Sequence, residues 1–221
     1  VTPRTLFRIA SCTKMTLGVV VMRLCEQGLL SLDAPITDYV PWLRFRDGEA
    51  SASITLRRLL SHTAGLPSEY TPDGTREEAE AEAILQRELM NAERIADPKD
   101  ALFHYSNLGV RLAACAVERV LGLPFSEIDR RYVFEPLSMS HSTFDLNEAA
   151  TRSLAIPHKS RDEVLHYIPV NAARHAVGGL FSNVEDMAKF ARMLLNRGAP
   201  LITEASWRQM ITPEADRFTE Q

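Results

Sequence analysis

The chain has 221 residues, of which 45% are hydrophobic and three are cysteine, and a formal net charge of -4. That is enough for one globular unit with a sizeable core, and no internal repeat divides it. A net negative charge without a basic patch argues against nucleic-acid binding. The apolar stretch from Leu17 to Leu24 is broken by Arg23 and soon meets Glu26, too short to span a bilayer, and Cys12, Cys25 and Cys115 lack the spacing of a disulfide framework or zinc site.

In chain order, a first helix is expected from Ser11 to Gln27. It is apolar nearly all round and therefore buried, with Gly28 just past its end as a C-terminal cap. Pro35, Pro41 and the stretch from Arg44 to Ser53 read as loop. Thr55 caps a short helix through Leu59 and Leu60 that Gly65 and Pro67 stop. Glu77 to Arg94, with Thr75 as its cap, reads as an exposed amphipathic helix. Ile84, Leu85, Leu89 and Met90 face inward and the charge run forms a solvated face. Asn107 to Leu121 reads as a second buried helix closed by Gly122 and Pro124, and further helices fit Ser126 to Phe134, Asn183 to Asn196 and Thr203 to Ile211. No run of alternating apolar and polar residues persists as a central strand. The three cysteines read as reduced core thiols.

Ser11-Cys12-Thr13-Lys14 opens the first apolar segment. Residues three apart on a helix share a face, so the Lys14 amine can reach the Ser11 hydroxyl and serve as its base. The bland alternative is a helix start with a solvated lysine. Some ninety residues on, Tyr105-Ser106-Asn107 offers a phenol that can shuttle a proton and an amide that can bind a lysine or a substrate carbonyl. Its bland alternative is a capped helix start with Tyr105 packed nearby. The histidines lack the i, i+4 spacing of a helical metal site, and His62 and His175 read as structural hydrogen-bonders. No Gly-x-Ser-x-Gly elbow and no phosphate-binding glycine loop appears, which counts against an α/β-hydrolase or a nucleotide enzyme, and no cofactor is expected.

Together with Leu6-Phe7-Arg8-Ile9-Ala10 ahead of Ser11, Glu26 to Asp33, Ile54 to Pro67, Phe134 to Met139 and Gly178-Gly179-Leu180-Phe181-Ser182, these motifs occur in one order across nearly the whole chain. In that order they resemble the serine β-lactamase and penicillin-binding-protein superfamily, and more closely its class C-like branch of carboxypeptidases, esterases and transesterases. The resemblance implies an α+β β-lactamase/transpeptidase-like fold. It also implies that Ser11 is the acylated nucleophile, Lys14 its activator, Tyr105 a general base and acid, and Asn107 a substrate and lysine ligand, with Gly178 and Gly179 bordering the substrate cleft and leaving room for an acyl group.

The family's third motif, Lys-Thr-Gly or His-x-Gly, is not found. None of Lys14, Lys99, Lys159, Lys189, His62, His104, His141, His158, His166 and His175 has glycine two places on. The resemblance sets that motif downstream of Gly178-Gly179 and sets strands before Ser11, so the chain is expected to be a single domain truncated at both ends, mostly helical, with much of its antiparallel sheet outside it. The expected reaction is two-step acyl transfer on an ester, amide or β-lactam carbonyl, with the Ser11 N–H as one donor of an oxyanion hole. Esterase or peptidase activity is favoured over antibiotic degradation by analogy of fold. The alternative is a non-catalytic family member that uses the cleft for binding. The partner is a small ester, peptide or β-lactam.

Overall fold

The computed structural model describes residues 1–49, 52–68, 75–100, 102–165, 168 and 170–214. Residues 50 and 51 of the expected 44–53 loop, and His166, lie outside the described residues.

The centre is α1 (Lys14–Glu26), which starts three residues later than expected because Ala10–Thr13 form a tight 3-10 turn ahead of it. Its Leu17, Val19, Val20, Val21 and Leu24 are fully buried, each worth about 1.5–3 kcal/mol of transfer from water. Gly28 closes it with φ +70°, a left-handed conformation that a side chain would strain. Helix α2 (Leu56–Leu60) is capped by the Thr55 hydroxyl, which accepts the Arg58 N–H. Its end is set by His62 in the left-handed region at φ 61°, before Gly65 is reached.

Helix α3 (Ala81–Asn91) follows a 3-10 turn at Glu78–Glu80. Thr75 accepts the Glu77 N–H and donates to Glu80, tying off the entry. Ile84, Leu85 and Leu89 are buried as expected, but Met90 is exposed. The charge run is more than a solvated face. Glu88 is buried against Arg111, and Glu82 accepts from Trp42 Nε1 at 2.5 Å and Arg119 Nη1 at 2.6 Å.

Helix α4 (Asn107–Leu121) has the expected bounds, with Ser106 as its cap and Gly122 at φ +66° past its end. It lies beside α1 and α2 in the core. Helix α5 (Phe125–Asp129) continues as one wider turn through Phe134. Two short helices were not legible in the pattern, α6 (Leu146–Ala150) and α7 (His175–Gly178). Helices α8 (Val184–Leu195) and α9 (Glu204–Ile211) are capped by Asn183 and Thr203.

Sheet among the described residues is slight: β1 (Phe7–Arg8) pairs antiparallel with β6 (Phe181–Ser182), β2 (Arg44–Phe45) with β3 (Gly48–Glu49), and β4 (His158–Ser160) with β5 (Glu163–Val164). The β2–β3 hairpin replaces part of the expected loop. The β1–β6 pair matters most, because it joins the segment before Ser11 to the segment after Gly179. Of the cysteines only Cys115 is fully buried. Cys25 is half-buried, and Cys12 is exposed because the 3-10 turn turns it to solvent, which corrects the reading of all three as core thiols.

Candidate active site

Two helix starts meet at Ser11. The Ala10–Thr13 turn is held from beneath: Thr13 Oγ1 donates to Ala10 O at 2.7 Å, and Ile9 N–H donates to Leu180 O at 3.0 Å across the β1–β6 join. Ala10 takes φ 48°, a left-handed conformation costing a non-glycine residue about 1–2 kcal/mol, directly before the serine. The turn has no side-chain cap, and the first N–H groups of a helix have no partner within it. Ser11 is exposed.

Lys14, half-buried at the start of α1, donates from Nζ to Ser11 Oγ at 3.0 Å and to Val177 O at 2.7 Å. Its ammonium nitrogen lies 5.1 Å from the centroid of the Tyr105 ring. Tyr105 Oη donates to Ser11 Oγ at 2.8 Å. The serine oxygen is therefore within hydrogen-bond reach of two groups able to exchange its proton, the geometric requirement for general-base activation.

Tyr105 is fixed by the segment around it. Ser106 Oγ accepts the Gly109 N–H at 2.9 Å and donates to Pro67 O at 2.6 Å. His62 takes the Ser106 N–H on Nδ1 at 3.1 Å, accepts the His104 N–H on its carbonyl at 2.8 Å, and lays its ring 4.5 Å from the Tyr105 ring at 35°. Since Nδ1 is an acceptor, the imidazole is neutral with its proton on Nε2. Burial, with the nearby Lys14 charge, pulls His62 down to about 4. Asn107 is half-buried as the first residue of α4, and its backbone N–H donates to Ser68 O at 2.8 Å.

Gly178 and Gly179 end α7, beside the carbonyl that holds Lys14. A Cβ at Gly179 would fall 2.9 Å from His175 Cδ2 and 3.0 Å from its Cα, so glycine is required by the close passage of His175. A Cβ at Gly178 would touch the Ala10 backbone at 3.4 Å, and Gly178 O accepts from Arg8 Nε at 3.0 Å. The pair packs α7 against the Ser11 turn. His175 itself meets Glu78, Nδ1 to Oε1 at 2.8 Å.

The structure thus brings Ser11, Lys14 and Tyr105 together, with Gly178 and Gly179 behind them and Asn107 two residues from the phenol. Sequence reasoning missed the Val177 carbonyl, which carries no side-chain signal; it had His62 as a structural hydrogen-bonder, and the structure adds that the residue it clamps is Tyr105. Thr13 and Thr16, hydroxyls inside an apolar helix, were a visible signal that went unused.

A helical layer with little sheet, its centre a Ser-x-x-Lys turn, is that of a serine hydrolase-like protein with the β-lactamase/transpeptidase fold. A family profile described as Beta-lactamase matches residues 1–221. Penicillin-binding protein 4 of Amycolatopsis lactamdurans is 28% identical over 208 residues, covering 90% of this chain and 53% of that protein. Among solved structures, the octameric penicillin-binding protein homologue from Pyrococcus abyssi superposes with a TM-score of 0.76 at 28% identity, covering 96% of this chain and 49% of that one. The class C β-lactamase from Rhodobacter sphaeroides gives 0.72 at 25% identity, covering 97% and 57%. The chain belongs to the β-lactamase family, and it spans about half the length of the curated relatives it matches. Among the described residues no helix is long and apolar enough to cross a membrane.

Proposed function

We propose that the protein is a serine hydrolase acting through a covalent acyl-enzyme on an ester, amide or β-lactam carbonyl, of esterase or D-peptidase type rather than a dedicated antibiotic-degrading enzyme. Ser11 Oγ attacks the carbonyl carbon while its proton passes to Lys14 Nζ or Tyr105 Oη, whichever is in its basic form. The tetrahedral adduct collapses, the leaving group departs with a proton, and water or another acceptor repeats the sequence on the acyl-serine. Asn107 is proposed to hold the lysine or the substrate, and Gly178 and Gly179 to border the cleft. The whole chain is proposed to act as one domain, part of a larger β-lactamase-like unit that supplies the second oxyanion donor.

The observation that carries this reading is the convergence on one oxygen: Lys14 Nζ at 3.0 Å and Tyr105 Oη at 2.8 Å from Ser11 Oγ. Two independent proton-exchanging groups on an exposed serine favour a nucleophile over a capping residue. The test is intact-protein mass after incubation with a fluorophosphonate and, separately, a penicillin, on this chain and on a longer version of it. A stoichiometric adduct on Ser11 supports the reading. No adduct on either favours the binding-protein alternative.

A further inference from the structure

We propose that Asp129 is held as a neutral carboxylic acid and is a positioning residue for the nucleophile turn, donating its proton to Thr16, whose own hydroxyl proton holds the carbonyl of Thr13 at the end of that turn. The inference rests on Ser11 being the nucleophile only in its last step.

Asp129 is the final residue of α5 and is wholly inaccessible to solvent, as are Thr13 and, within 1%, Thr16. Thr16 Oγ1 lies 2.8 Å from Thr13 O and 2.5 Å from Asp129 Oδ2. A hydroxyl has one proton. Thr13 O is a carbonyl oxygen and can only accept, so the Thr16 proton belongs on that contact. The short contact between Thr16 Oγ1 and Asp129 Oδ2 then needs a proton of its own, and the carboxyl is the one group that can bring it. Thr13 fixes the turn through a separate atom: its Oγ1 donates to Ala10 O at 2.7 Å and accepts the Leu180 N–H at 3.4 Å. Every proton is used once, and Thr13, held at its carbonyl by Thr16, is the residue through which Asp129 on α5 bears on the left-handed residue that precedes Ser11.

The surroundings agree. Asp129 Oδ1 is buried without a hydrogen-bond partner among the described residues, a much smaller cost for the carbonyl oxygen of an acid than for a carboxylate. The charged groups on neighbouring elements are engaged elsewhere. Lys14 and Arg23 of α1 bond Ser11 with Val177 O, and Tyr132 O. On α4, Glu118 takes the Phe125 N–H and Arg119 meets Glu82. On α7 His175 meets Glu78, and past α5 Arg130 and Arg131 meet Glu127. Among the described residues no cation pairs with Asp129. Burial lifts its carboxyl to about 8, against the pull of the Thr16 contact.

The consequence for stability has a definite sign. Between about pH 4 and about pH 8 the folded chain keeps a proton that the unfolded chain has lost, so this group's contribution falls as pH rises through that window and is flat above it. Asp129→Asn keeps a donor towards Thr16 and removes the titration. The experiment is infrared and carboxyl carbon NMR at neutral pH on wild type and variant, with melting temperature against pH for both. A protonated carboxyl signal that the variant lacks is expected, with a melting curve that loses its decline towards about pH 8. Glu118, lifted by burial to about 7, titrates in both proteins and cancels in the difference. An ionised Asp129 at neutral pH, or a variant that melts lower with an unchanged pH curve, would overturn the neutral acid.

These readouts work in Ser11→Ala too, so they stand or fall apart from the nucleophile assignment. The positioning role is read from the rate of fluorophosphonate labelling against pH. Wild type should lose rate above about pH 8 relative to Asp129→Asn, and parallel profiles would overturn it.

Discussion

The two helix starts that meet at the candidate site are built in opposite ways. The Tyr105 side is closed: Ser106 caps α4, and His62 and Pro67 take up the neighbouring donors. The Ser11 side is open: its 3-10 turn has no side-chain cap, and support comes from buried hydroxyls and the Val177 carbonyl below. A cap satisfies N–H groups that a ligand could otherwise use, so a helix start meant to receive negative charge is best left uncapped and held from behind. A helix start meant to aim a side chain is best capped.

That contrast can be broken at several points, beginning with the largest effect. Ser11→Ala should abolish the adduct seen by intact-protein mass while shifting stability by no more than about 0.5 kcal/mol, as expected for an exposed side chain. Labelling of the variant at the wild-type rate would remove Ser11 from its role. Lys14→Ala should slow labelling by about 10³-fold, because it deletes a proton acceptor and unties the turn from Val177. Tyr105→Phe, which keeps the ring against His62, should cost about 10²-fold in labelling rate and leave the melting temperature nearly unchanged. An equal loss for Lys14→Ala and Tyr105→Phe would show that the two groups act as one unit.

Smaller effects sharpen the capped side. Ser106→Ala should cost about 1–2 kcal/mol of stability in denaturant titration, through the lost cap and the lost bond to Pro67. No comparable cap exists to remove from the turn at Ser11. The mildest test is pH. His62 is held near 4 in the folded chain, below the usual histidine value of 6.5, so between these the unfolded chain binds a proton that the folded chain refuses. Its contribution to stability is complete above about 6.5 and is lost as pH falls towards about 4. His62→Asn, which tolerates the left-handed backbone, should flatten this acid limb in a melting series.

Helices announced by a cap, an apolar stripe and a terminal glycine or proline were legible almost to the residue, as α4, α8 and α9 illustrate. The start of α1 was misjudged because the rule that places Lys14 over Ser11 does not distinguish an α-helical turn from a 3-10 one. Helix α7 and the two-residue strands were hidden for another reason. Elements that short carry no period, and they exist because the chain on either side holds them. Gly178 and Gly179 could be marked as near the site, but the passage of His175 across Gly179 is a fact of packing.

The family and the helical character were determined by the sequence, which also put forward Ser11, Lys14 and Tyr105 as candidates for the chemistry, since motif order and helical period are local properties of the chain. Which atoms meet was decided only by the tertiary structure. Lys14 shares its amine between Ser11 and a carbonyl 163 positions away, Tyr105 reaches across 94 positions, and Asp129 reaches back across 113 to Thr16 in α1, the helix that follows the Ser11 turn. Such contacts follow from how the helices pack around one core, and packing depends on every side chain at once.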